Sequence, residues 1–288
     1  MRTLPFILSI LLGILSLFRS ETPQQRSADP ILFSVEGLSG PESVRYDPVQ
    51  DVLFVSNFNE KESNDGFISK ISPQGDILDL TFMTGSEEYP LDDPRGMFII
   101  RETELLVADA AGVHAFDTRT GKHLRFYDFT DQEPGFLNDI AADKNGTVYV
   151  TDMNKSQLFT FNDESITLVA TNLAINPNGI ALDPATGHMI LAPWREANTF
   201  YSFNPEDNTV KEYMTTGLGG RNDGIEFMNG HIIFSCQVDS SLYFMNADHK
   251  VIRSIQTPGR PADIGIDTKR NRVFVPYIAL DKVDVWEL

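Results

Sequence analysis

Four residues carry oxygen donors at the same point of a short recurring motif. They are Glu42 in Pro41-Glu42-Ser43-Val44, Asn138 in Leu137-Asn138-Asp139-Ile140, Asn178 in Pro177-Asn178-Gly179-Ile180 and Asp223 in Asn222-Asp223-Gly224-Ile225. Two further copies, Pro94-Arg95-Gly96-Met97 and Pro261-Ala262-Asp263-Ile264, place an arginine and an alanine there. Two carboxylates and two amide carbonyls would form a hard-oxygen shell of formal charge −2. Such a shell suits a divalent cation, Ca²⁺ best, with waters completing about six to eight ligands. Mg²⁺, Mn²⁺ and Zn²⁺ stay open, although none of the six points is a histidine or cysteine, which disfavours zinc and copper. Taken singly, Asn-Gly and Asp-Gly are turn signals; four donors at matching points favour the cation.

Those donors need a frame that brings them together. Glu42, Arg95, Asn138, Asn178, Asp223 and Ala262 follow one another at intervals of 53, 43, 40, 45 and 39 residues. After each comes a β-branched, aliphatic or aromatic run, at 53–56, 105–108, 148–151, 189–192, 232–235 and 273–276. Turn residues such as Lys144-Asn145-Gly146 and Asn229-Gly230 precede most of these runs. A period of about 40–45 residues with four strands predicts a propeller blade. Six copies predict an all-β fold, a six-bladed β-propeller over residues 30–288. The first unit is enlarged by a polar loop at 60–66, and the last stops three strands in, after Trp286. Residues 31–35 are expected to complete that last blade, so that an N-terminal strand closes the ring and removes an open sheet edge. The first strand of each propeller blade lines the central channel, so the six motif points should face one another. A second tier at the ends of the following strands, Asn57, Asp109, Asp152, Trp194, Gln237 and Tyr277, is expected at the pocket mouth.

The chain has 288 residues and a net charge of −18. So acidic a surface argues against nucleic acid and anionic membranes as partners. The lone cysteine, Cys236, excludes an intrachain disulfide and reads as a core residue. Arg2 followed by an apolar run at 4–18 reads as a signal peptide or N-terminal anchor over 1–20, and 21–29 as a polar linker. The expected location is therefore outside the cytoplasm, periplasmic or secreted, or membrane-anchored by residues 4–18.

Taken in order, one per blade, Pro41-Glu42-Ser43-Val44, Leu137-Asn138-Asp139-Ile140, Pro177-Asn178-Gly179-Ile180 and Asn222-Asp223-Gly224-Ile225 resemble the senescence marker protein, gluconolactonase and luciferin-regenerating-enzyme-like propellers. Paraoxonase and diisopropylfluorophosphatase are more distant relatives of that architecture. The resemblance covers residues 30–288. It implies that Glu42, Asn178 and Asp223 hold a divalent cation, that Asn138 is a ligand or a substrate contact, and that Asp223 is the catalytic base. Asp139, directly after a ligand, is a second candidate base or a partner orienting Asn138. A sugar-contacting arginine of gluconolactonase-like members is Phe136 here, which makes a polyhydroxylated acid a less natural substrate. Arg95 would offset the acidic ring, hold a substrate carboxylate, or pair with Asp139 or Glu42. A bound cation polarises a carbonyl and a carboxylate deprotonates a bound water. The absence of a Gly-x-Ser-x-Gly stretch fits hydrolysis without a nucleophilic serine. The expected function is a divalent-metal-dependent hydrolase of lactones or related esters, with a small molecule as substrate. The alternative is a non-catalytic ligand-binding or scaffold propeller with a structural metal ion.

Overall fold

The computed structural model describes residues 30–59, 64–195 and 198–288. The expected signal segment and linker, and residues 60–63 of the polar loop, lie outside the described residues. The second strands of the blades explain the architecture best. Val52–Asn57, Val148–Asp152 and Met189–Pro193 are buried along their whole length. Both faces of such strands are covered, so they read as continuous apolar runs rather than alternating ones. Outer strands such as Ile77–Thr84 and Thr209–Thr215 face water along much of their length.

These strands build six four-stranded antiparallel sheets arranged as the blades of a propeller. In each of the first five blades the strands follow chain order from the channel outward. Six apolar clusters fill the gaps between neighbouring blades. One sets Phe129 of blade 2 edge-on against Phe159 and Phe161 of blade 3. The sixth blade is completed from the other end of the chain. Phe33–Glu36 pairs with Lys282–Glu287, in the register Phe33 to Val285 and Val35 to Val283. The closure expected from the sequence is the closure observed. Among the described residues no helix is long and apolar enough to cross a membrane.

Each inner strand starts at one end of the channel, and four of the six end near an aspartate at the other. That aspartate is a turn device. Asp47 accepts hydrogen bonds from the N–H groups of Val49 and Gln50, and Asp267 from those of Lys269 and Arg270. Asp143 and Asp183 repeat the arrangement. Side chains of this kind mimic a backbone turn, which accounts for the aspartate that closes several copies of the motif.

Candidate metal and catalytic site

The motif residues sit on a repeated irregularity. In blade 1, Pro41 pairs with Asn57, yet the next paired residues are Val44 and Val55. Three steps on the inner strand thus face two on its partner, the signature of a β-bulge. The same slip separates Leu137 from Ile140, Pro177 from Ile180 and Asn222 from Ile225. Each bulge contains one of Glu42, Asn138, Asn178 and Asp223. A bulge re-aims side chains out of the pleat, so the four oxygen-bearing residues are turned alike in four blades. Arg95 and Ala262 lie just before the inner strands Met97–Ile100 and Gly265–Asp267.

The residue after each donor locks its blade to the next. A Cβ on Gly179 would stand 2.1 Å from the carbonyl oxygen of Asp223, and one on Gly224 would stand 2.4 Å from the Ile264 nitrogen. Asn178-Gly179 and Asp223-Gly224 are therefore strand residues at close inter-blade contacts, not turns. Hydroxyls on the second strands complete the lock. Thr151 accepts the Asp139 N–H and donates to the Asn178 carbonyl, while Ser235 accepts the Gly224 N–H and donates to the Ala262 carbonyl.

All six motif residues are buried, with Glu42, Asn138, Asn178 and Asp223 each 2–4% exposed. Three of the four leave an oxygen buried and without a hydrogen-bond partner among the described residues: Glu42 Oε2, Asn178 Oδ1 and Asp223 Oδ1. Orphaned acceptors in one site are rare and call for an explanation. The other Asp223 oxygen accepts from Gln237 Nε2 at 2.8 Å. Burial first, then the charges of Asp223 and Asp263, holds Glu42 well above the usual carboxylate range. Burial and the neighbouring Asp263 push Asp223 up to about 8. Asp263 is itself pushed up to about 6, by burial above all. Three carboxylates thus crowd a dry site, an arrangement that favours a bound cation or retained protons.

Asp263 was not among the expected site residues. The motif registers Ala262 at the ring point, and the signal for Asp263 is its equivalence to Asp139, one position further on. It accepts the Ser43 hydroxyl at 2.6 Å, and its N–H donates to the Glu42 carbonyl at 2.9 Å. Asp139 is likewise buried, but both its oxygens are engaged: one accepts the Ile140 N–H at 2.7 Å, the other the Ile180 N–H at 2.8 Å. It braces blade 3 against blade 4.

The second tier divides. Asn57 accepts the Ser39 N–H and donates to Val55 and Ser69. Asp109 accepts the N–H groups of Asp92 and Asp93 and contacts His114 Nε2 at 3.0 Å. Asp152 accepts those of Gly135, Phe136 and Lys155. These side chains hold the loops at the mouth in place. Tyr277 is fully buried in the apolar cluster between blades 5 and 6. Trp194 is half-buried beside Arg221, whose guanidinium lies 6.0 Å from its ring. The ion-pair partner of Arg95 is neither Asp139 nor Glu42 but Asp93, at 3.2 Å. A separate cavity of about 280 Å³ lies at the opposite end of the channel, between Arg45, Phe98, Leu182 and Glu226. Among the described residues no cluster of three or more His, Cys, Asp and Glu has the arrangement of a metal site. The donor set rests on amides as much as on carboxylates.

The family model described as SMP-30/gluconolactonase/LRE-like region matches residues 42–275, which contain all four donors. The chain belongs to this family. Among solved structures, this SMP-30/gluconolactonase/LRE-like propeller is similar to a gluconolactonase from Xanthomonas campestris, with a TM-score of 0.70 and 14% identity over 92% of this chain and 96% of that one. It is also similar to virginiamycin B lyase from Staphylococcus aureus, with a TM-score of 0.64 and 14% identity over 89% and 99% of the two chains. A chain of a nidogen/laminin complex gives a TM-score of 0.63 and 16% identity over 78% and 84%. No curated protein matches in sequence. At such identities the likeness is one of fold, and the site must argue for itself.

Proposed function

We propose that the chain is a divalent-metal-dependent hydrolase of lactones or related esters, acting outside the cytoplasm on a small-molecule substrate. The observation that carries this reading is the set of three buried oxygens without partners, Glu42 Oε2, Asn178 Oδ1 and Asp223 Oδ1, at one end of the channel. With Asn138 at the fourth bulge, these residues would hold the cation, Ca²⁺ best fitting so hard a donor set. When bound, the cation would polarise the substrate carbonyl and acidify a water. Asp223 is the better placed base. Gln237 fixes one of its oxygens, and the other is left facing the site beside the Asn178 amide. Asp139 is less suited, because each of its oxygens already accepts a backbone N–H. Family membership and the gluconolactonase among the structural neighbours support the lactone class. The apolar segment at 4–18 supports the location.

A second reading, a ligand-binding or scaffold propeller with a structural ion, is favoured by the near-complete burial of the donors. An assay of lactones and aryl esters, with chelator and with added Ca²⁺, Mg²⁺, Mn²⁺ or Zn²⁺, separates the two. The hydrolase reading expects metal-dependent turnover that Glu42→Gln and Asp223→Asn remove. Metal-dependent stability with no turnover on any substrate supports the scaffold. Calorimetry showing unchanged metal affinity in both variants rejects the site.

A further inference from the structure

Arg95 is the one cation among the six ring positions, and its surroundings are unusual for a structural arginine. It is 2% exposed. Its guanidinium carbon stands 3.7 Å from the centroid of the Phe136 ring, closer than any other cation to a ring among the described residues. Nη1 donates to the Leu137 carbonyl at 3.1 Å and Nη2 to Asp93 at 3.2 Å. Nε is buried and has no hydrogen-bond partner among the described residues. Asp93, the one ion-pair partner among the described residues, is 45% exposed, so water screens that pair. Glu42 acts on Arg95 electrostatically without forming an ion pair with it. Burial weakens the charged guanidinium more than these neighbours restore it.

We propose that Arg95, held over the Phe136 ring, is the specificity residue for an anionic substituent of the substrate, a carboxylate. The preferred substrate is then a lactone or ester that carries a free carboxylate besides its scissile bond. The inference rests on the hydrolase reading and narrows its substrate class. The chemistry is that of the planar fork. A guanidinium fixed by one ring face and one backbone carbonyl is already oriented, and it matches a carboxylate geometrically where an ammonium does not. Phe136 is half-buried and directly precedes the inner strand Leu137–Ala142, two residues ahead of Asn138. The anion subsite thus abuts the candidate metal ligands, and a substrate bridging the two would be held at two points.

The test compares two γ-lactones of equal ring size, one bearing a carboxylate and one a carboxamide. The wild-type protein is expected to favour the carboxylate at least tenfold in kcat/KM. Arg95→Met should shrink that ratio roughly ten- to hundredfold, the loss of one or two charge-assisted hydrogen bonds. Phe136→Leu, which removes the stacking face, should shrink it less, and Arg95→Lys should give an intermediate value. A wild-type ratio near one overturns the proposal. So does an Arg95→Met variant in which both lactones slow equally. Calorimetric titration with the ring-opened hydroxy-dicarboxylate separates this inference from the reading beneath it. Dicarboxylate binding that Arg95→Met weakens tenfold, with no lactone hydrolysed, keeps the subsite and rejects the hydrolase. Equal hydrolysis of both lactones with no dicarboxylate binding does the reverse. If Arg95→Met does not fold, the wild-type ratio and the Phe136→Leu and Arg95→Lys variants decide.

Discussion

Asp223 shows how one residue ties stability to chemistry. Its folded-state pKa of about 8 stands above an ordinary value of 3.8. Between those values the folded chain binds more protons than the unfolded one, so stability falls as pH rises. Asp263, raised to about 6, adds to the slope in the lower part of that window. Melting temperatures in chelator are therefore expected to fall from pH 5 to pH 8, and added Ca²⁺ should flatten the curve. A flat curve in chelator would mean that the carboxylates are not in a dry, crowded site. Asp223→Asn removes the charge and should raise the melting temperature in chelator at pH 8. The same variant should lose turnover by roughly 10²- to 10⁴-fold if Asp223 is the base. The shared placement of Glu42, Asn138, Asn178 and Asp223 was legible in the sequence because their spacing repeats. Asp263 was not, since the motif aligns Ala262 in its place. Nor were the roles of Asp109 and Asp152, because spacing cannot distinguish a carboxylate facing a channel from one that caps a loop.

At the scale of the element, the bulge is what turns an ordinary inner strand into a site. No residue type announces it. The glycines at 179 and 224 read as turn residues, and only the blade packing shows that they admit the neighbouring backbone. Gly179→Ala is expected to force blades 4 and 5 apart. Urea unfolding should show a loss of about 1–3 kcal/mol, and metal affinity should fall with it, since Asp223 lies on the displaced strand. An unchanged affinity would detach the bulge from the site. Thr151→Val leaves the Asp139 N–H and the Asn178 carbonyl without their shared hydroxyl. That should cost about 1–3 kcal/mol, read from the same unfolding curves.

At the scale of the molecule, the repeat length and the short final unit made the ring and its closure readable. Sequence periodicity reports blades directly, because every blade meets the same packing problem. The closing strand is held by register rather than by length. Deleting residues 30–36 removes Val35, buried between blades 6 and 1, and the partly buried Phe33. The loss should be roughly 3–6 kcal/mol, lowering the melting temperature on the order of 10 °C; melting at the parent temperature would show that the ring closes without it. The direction of that strand has a further consequence. It runs antiparallel to Lys282–Glu287 and delivers the chain to Glu42 at the start of the first inner strand. The chain therefore enters this strand from the floor of the ring, and the donors lie at its roof. A tether attached ahead of residue 30 would hold the propeller from beneath and present the carboxylate ring outward, away from whatever surface the tether grips.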